Sequence, residues 1–436
     1  MNNFFLKSKR AELLSYKNSF FWLFLTFSTI SLRAQNPPIN LSDCLKKARE
    51  YHPYYSDKQR IDQSRDLRMK NINSLWLPQI GLNAQATYQS EAIKIDVPIP
   101  GFNISGTPLD QYKITLDVNQ AVFDGGNINA QKKLTNASIE ADFQQNEIDI
   151  YKINEQLVNV YFNTLLLQVN RDLYKNILED LGSKEQKITS GVRNGILIQS
   201  DLDNLKVEIL KTKQLLNDLE ISYKNSLSVL SDLTGDSIIR NSKLTTPELR
   251  ILANDSINRP ELKLFDLQKG ILEGSKYVSS SQRMPKFYAF SQLGYGRPGL
   301  NMLKDDFQPF YIVGLKFQWN IWDWNKTSRE KSIYSVQQEI VGSKKELYMR
   351  NISISSNNEL TKIQQLEGAL ETDEEIHALR KSISQQTEKR LEQGIVTMTD
   401  YLTEYNATIK AGLQLEIHKV QLLYSKANYL IIKGQL

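Results

Sequence analysis

Ile80, Leu82, Ala84, Ala86 and Tyr88 alternate with Gln79, Gly81, Asn83, Gln85 and Thr87. The same period of two runs from Tyr112 through Ile114, Leu116 and Val118, broken by Lys113, Thr115 and Asp117. It returns as Phe287, Ala289, Leu293 and Tyr295, then as Tyr311, Val313, Leu315, Phe317, Trp319 and Ile321. Strict alternation marks a strand with one apolar and one wet face. About ten residues of it also suffice for a tilted strand to cross a bilayer. The pattern therefore predicts strands over 78–90, 110–123, 285–296 and 309–322.

Beyond each second strand the period becomes helical. Ile139, Phe143, Ile150, Ile153, Leu157, Val160, Leu167, Tyr174, Leu178 and Leu181 form a 3–4 ladder with polar gaps at Asn146, Thr164 and Arg171. Ile198, Leu202, Leu205, Ile209, Leu216, Leu219, Tyr223, Leu230 and Leu233 make a second ladder, with Thr212 and Ser226 in the remaining places. Such ladders are coiled-coil seams. They predict a long helix over 127–192, about 100 Å at 1.5 Å per residue, and a return helix over 196–234. The shortfall in length calls for another helix against the long one, and 41–76 has the right size. A weaker, more polar set (Ile340, Leu347, Ile352, Ile363, Leu366, Leu370) predicts a long helix over 326–391 and a return over 395–434, with 258–283 as the short partner.

The chain is thus written twice. At a shift of 199, Asp124 falls on Asp323, Gly195 on Gly394, Asp201 on Asp400 and Gly235 on Gly434. Upstream, "LPQIGLNAQATY" matches "MPKFYAFSQLGY" at a shift of 207, so the intervening loop is eight residues longer in the first copy. Two repeats follow, 35–235 and 258–436, joined by the linker 236–257. The strand-to-helix turns carry Asp124 and Gly125 in one copy and Asp323 in the other. The Pro- and Gly-containing loops 91–109 and 297–308 read as exposed connections.

Bulk properties refine this picture. The 436 residues are 40% apolar and 24% charged, with mean hydropathy −0.43. The one strongly apolar run, Ser19–Leu32, has 14 residues against roughly 20 for a spanning helix. It follows Lys7, Lys9, Arg10 and Lys17 and precedes Ala34, the pattern of a secretory signal peptide over 1–34. Without that segment the formal charge falls from +5 to about +1, which removes any electrostatic case for a nucleic-acid partner. The single cysteine, Cys44, shares a helical face with Leu41, Leu45 and Ala48 and reads as a buried structural thiol. His52, His377 and His418 are scattered without metal spacing. No nucleophile, paired-carboxylate or phosphate-loop motif occurs, so the chain reads as a non-enzyme without cofactor or metal.

The apolar N-terminal stretch, "LSDCLKKAREYHP", the two strand–loop–strand–(F/W)-D units and two turns of form G-I-x-x-x-(S/T)-D together resemble the TolC family of outer-membrane efflux proteins. The resemblance spans about 41–434 and rests on order, spacing and duplication. It implies a mixed α-helical and β-barrel membrane protein: a homotrimer closing one twelve-stranded barrel, four strands per protomer, continued by a coiled-coil periplasmic tunnel. It implies outer-membrane lipid, a periplasmic adaptor (membrane fusion) protein and, through the adaptor, an inner-membrane pump as partners. Carried onto this sequence, Arg193, Gly195, Asp201, Arg390 and Gly394 become adaptor-docking tips. Asp400 becomes a periplasmic gate residue with Glu404 beside it, Thr403 standing where the family has a second acid. The plain reading of the same turns is a left-handed C-cap glycine, with Ser200 or Thr399 starting the next helix and an acid in its first turn. The function implied is a passive exit duct of a tripartite small-molecule efflux system. A protein-secretion duct has the same fold, and a secreted coiled-coil structural or adhesion protein is the reading from another class.

Overall fold

Seven helices and four strands are laid down in the computed structural model, which describes residues 38–92, 107–251, 256–302 and 304–436. The signal-peptide segment 1–34, most of the loop 91–109 and part of the linker 236–257 lie outside the described residues. In chain order come α1 (Leu41–Tyr51), α2 (Pro53–Ser74), β1 (Gln79–Tyr88), β2 (Asp110–Phe123), α3 (Asn127–Arg193) and α4 (Gln199–Thr234). A 3₁₀ turn (Ser237–Asn241) and an irregular linker lead to α5 (Pro260–Ser281), β3 (Lys286–Arg297), β4 (Gln308–Gln318), α6 (Lys326–Glu392) and α7 (Met398–Lys433). Among the described residues no helix is long and apolar enough to cross a membrane.

The segment 41–76 is two helices where periodicity predicts one. His52 takes an extended ψ of 139° before Pro53, because a residue preceding proline is pushed out of the α region. His52 then caps α2, its Nδ1 accepting from the Tyr54 amide. The second copy has Arg259–Pro260 at the matching place, and α5 starts there.

The strands form one antiparallel sheet in the order β1-β2-β3-β4. Register sets Leu82, Leu116 and Leu293 in one row, then Tyr311 beyond Leu293. Their face is apolar and bare: Leu82 is 69% exposed, Val313 70% and Leu315 81%. The other face is polar and internally bonded. Asp117 accepts from Asn83 Nδ2 (2.6 Å), Gln292 Nε2 (2.6 Å) and Thr115 Oγ1 (3.1 Å), tying three strands together. Phe290 and Phe310 lie directly over Gly314 and Gly294, their cross-strand partners, where a side chain on either glycine would strike the ring. Among the described residues both outer edges, on β1 and β4, are unpaired. β1 and β4 are also shorter than their patterns at 78–90 and 309–322: β1 stops at Tyr88 and β4 at Gln318.

Helix packing resolves the polar gaps in the ladders. Thr164 and Ser226, one gap from each facing seam, hydrogen-bond to each other at 2.6 Å. Asn146 Nδ2 donates to the Tyr54 carbonyl (2.9 Å), and the Arg171 guanidinium stacks on the Tyr223 ring at 4.2 Å. Buried polar groups are tolerated when so paired. The main core joins α1, α3, α4, the linker and α7 around Leu157, Tyr161, Leu165, Leu230 and Ile239. Cys44 is fully buried there, and burial pushes its thiol up to about 12. The linker is strapped to α3: the Tyr161 hydroxyl donates to Ile39 and Thr245 carbonyls, and Gln168 both donates to and accepts from the Leu244 backbone.

Arg259, the residue before α5, fastens the second repeat to the first. Its guanidinium donates to Glu155 of α3 (2.6 Å), to Glu261 (2.5 and 3.0 Å), to the Tyr348 hydroxyl of α6 (3.2 Å) and to the Ile431 carbonyl of α7 (3.2 Å). It also lies over the Tyr151 ring at 4.7 Å.

Candidate functional site

Three levels of the fold carry the residues singled out in the sequence. The first is the strand-to-helix turn. In copy one Asp124 Oδ1 accepts from the Gly126 amide (2.9 Å) and Oδ2 from the Ile128 amide. In copy two Asp323 Oδ2 accepts from both the amide (3.1 Å) and the hydroxyl (2.6 Å) of Thr327. Each aspartate satisfies the free amides at the start of a 67-residue helix. The turn needs two successive left-handed residues. Gly125 and Gly126 supply them in copy one, Trp324 (φ 53°) and Asn325 (φ 61°) in copy two. For Trp324 that conformation costs about 1–2 kcal/mol.

The second level is the helical tip. Gly195 (φ 73°) and Gly394 (φ 68°) are left-handed and stand in open space, so backbone conformation alone demands glycine there. Ile196 N bonds the Gly191 carbonyl and Gly195 N that of Val192; Ile395 and Gly394 repeat this with Arg390 and Leu391. Both tips are therefore Schellman caps. Arg193 ends α3 and Arg390 lies within α6's last turn, and both are exposed.

Ser200 and Thr399 do not start the return helices. After each glycine the chain runs extended, and the N-caps are Ile198 and Thr397, so α4 and α7 begin at 199 and 398 and not at 196 and 395. The signal was present at the second tip: Thr397-x-x-Asp400 is a capping box. Thr397 Oγ1 accepts from the Asp400 amide (3.2 Å), and Asp400 Oδ2 accepts from the Thr397 amide (3.0 Å) and hydroxyl (2.7 Å). These bonds hold the Asp400 carboxyl below the usual carboxylate range. At the first tip Ile198 cannot accept, and only the return bond forms, from the Ile198 amide to Asp201 Oδ2 (3.2 Å). Glu404 accepts from Arg380 of α6 at 3.1 Å.

Periodicity alone did not expose what joins the two tips. Met398, Tyr401, Leu402 and Tyr405 of α7 pack with Leu181, Leu205 and Ile209 in one buried cluster. Lys184 reaches from α3 to Glu388 of α6 at 2.5 Å, over the Tyr401 ring at 5.3 Å. At the ends of the tips Ile196, Ile198 and Ile395 are 63%, 67% and 60% exposed.

The third level is the bare apolar sheet face described above. Among the described residues no group of three or more His, Cys, Asp or Glu is arranged to hold a metal.

Residues 60–236 match the family described as outer membrane efflux protein. No curated protein sequence matches the chain. Among solved structures, the outer membrane protein VceC of Vibrio cholerae superposes with a TM-score of 0.66 at 14% identity, over 90% of this chain and 96% of that one. The CmeC outer membrane channel of Campylobacter jejuni gives 0.63 at 14% identity, over 91% and 84%. The open state of the MtrE outer membrane channel of Neisseria gonorrhoeae gives 0.62 at 13%, over 91% and 89%.

Proposed function

We propose, for a chain whose residues 60–236 match the outer membrane efflux protein family and whose fold is that of TolC-family outer-membrane channels, that it forms an exit duct in the outer membrane of a Gram-negative bacterium. It is a channel protein and not an enzyme. The observation that carries this reading is the sheet, with an apolar face that holds no buried residue and, among the described residues, two open edges. Open edges cannot stand in lipid, where each unpaired backbone group costs several kcal/mol. Three copies supply twelve strands, close the sheet and set the long helices around one axis. A secreted coiled-coil scaffold leaves that sheet face unexplained.

The duct is passive and works in a tripartite small-molecule efflux system with a periplasmic adaptor and an inner-membrane pump. Support for adaptor docking comes from the tips: two equivalent caps, three exposed isoleucines, and Arg193 and Arg390 free to reach outward. Gly195→Val with Gly394→Val places β-branched residues where φ is near +70° and distorts both tips, far from the sheet. Export by cells carrying the intact system falls at least tenfold while the trimer still assembles in the outer membrane. Undiminished export removes the tips from adaptor coupling.

Asp400, with Glu404 behind it, forms the periplasmic gate. The exposed, fully ionised Asp400 carboxylate supports this, since three copies around an axis concentrate negative charge. Its folded pKa is depressed, so its capping contribution is complete above the unfolded value of about 4 and is lost as pH falls through the folded one. Asp400→Asn therefore weakens the cation preference of the closed-state current in planar bilayers and flattens the loss of tip stability below about pH 4. Closed-state current identical to the parent takes Asp400 out of the gate.

A further inference from the structure

The six charged residues of the four strands are unevenly disposed. Asp110 and Arg297, at the loop end of the sheet, pair with each other at 3.2 Å. Lys113, Asp117, Lys286 and Lys316 share the polar face, in rows with Gln85, Gln292, Gln318 and Tyr288 respectively. Asp117 is held there by three uncharged donors. Among the described residues none of the three lysines is ion-paired. Three lysines against one aspartate leave a net charge of +2 on this face of each protomer.

The lysines stand at two levels with Asp117 between them. Lys113 lies opposite Gly296, toward the loops; Lys316 lies opposite Tyr288, and Lys286 one row nearer the helices. Ala121, the β2 residue opposite Tyr288, is eight residues beyond Lys113, so the levels are about 27 Å apart along the strand. Lys113 is anchored as well as exposed. Its ammonium sits 5.2 Å from the centroid of the Phe310 ring, which itself covers Gly294. The face of an aromatic ring attracts a cation, and that attraction keeps the ammonium at its place on the sheet.

We infer that the barrel section of the duct favours organic anions and that Lys113 and Lys316 set this preference. The inference deepens the duct reading and rests on it, because the polar face lines the lumen only if the apolar face meets lipid. Three copies then bring nine lysines and three aspartates to the lumen, a net +6. Rings of charged side chains set the sign of the ions a pore admits. A passage of one sign between low-dielectric walls also raises the local concentration of the opposite ion. The recognised chemistry is the anionic group of the cargo, a carboxylate, sulfonate or phosphate. Its sign is opposite to what Asp400 favours at the tips, so the side of addition separates the two levels.

Full-length trimers inserted in planar bilayers at about 0.1 M KCl, where screening extends about 10 Å, test this. Naphthalenetrisulfonate added from the side of the strand loops should block the current, and should block it less from the tip side. Lys113→Gln with Lys316→Gln should raise the half-blocking concentration at least tenfold and turn the reversal potential in a KCl gradient toward cations. Lys113→Arg with Lys316→Arg keeps the charge and should keep the parental block. Heat-shifted mobility on gels checks that each variant is the same trimer. A parental trimer indifferent to the trisulfonate, or a glutamine variant with parental block and reversal potential, overturns the anion preference and leaves the duct standing. Loss of block in the arginine variant overturns it too, since side-chain shape and not charge would then decide. Absence of any conductance from the parental protein overturns both.

Discussion

Leu116→Arg combined with Leu315→Arg leaves the chain unable to assemble in the outer membrane, and it accumulates in the periplasm or is degraded. Both leucines lie on the apolar face away from their strands' ends, 38% and 81% exposed. An arginine at the bilayer midplane of a lipid-facing strand costs roughly 2–4 kcal/mol. Two per chain and three chains give six such charges in one barrel. That sum approaches or exceeds the usual net stability of a folded protein, about 5–15 kcal/mol. Asn119→Arg serves as the control, since Asn119 belongs to the polar face on the same strand. It should insert as the parent does. Fractionation and heat-shifted mobility on gels read the result, and normal insertion of the double variant would show that this face does not meet lipid.

Arg259→Met should lower unfolding stability by about 3–5 kcal/mol, the range for removing one partner of a buried ion pair. Glu155 and Glu261 would lose their common cation, and the Tyr348 hydroxyl and Ile431 carbonyl one donor each. The Arg259 side chain is only 11% exposed, but Glu155 keeps 36% of its side-chain surface in water, which places the expectation at the lower end. Adding Glu155→Gln and Glu261→Gln should restore part of the loss, because stranded charge and not lost attraction dominates the penalty. Denaturant unfolding in detergent, run as a cycle over the three sites, measures the coupling. A loss below 1 kcal/mol, or no recovery in the triple variant, would mean that Arg259 is a solvated surface group. The matching position in copy one is His52, which caps its own helix and makes no comparable node. The duplication preserved the kink before proline and changed its chemistry.

That pair of residues marks the line between what could be read and what could not. Strand character was legible because side chains alternate across a sheet with period two, a property each strand carries alone. The seams were legible for the same reason at period three and a half. Asp124 and Asp323 announced helix starts because a cap acts within four residues. His52–Pro53 and Thr397-x-x-Asp400 were equally local signals, and the boundaries they set differ from periodicity only because periodicity does not detect caps. Other features belong to no local window. Thr164 and Ser226, 62 residues apart, appear as flaws in two ladders until the helices face each other and the flaws pair. Arg259 looks like any arginine until four elements converge on it. The strand ends at Tyr88 and Gln318 fall where pairing with β2 and β3 stops rather than where the residues' own alternation stops. Local pattern therefore determined the elements, their duplication and which face of each is apolar. Tertiary packing alone decided which polar groups are paired and where strands stop, because those outcomes depend on atoms brought close in space from distant parts of the chain.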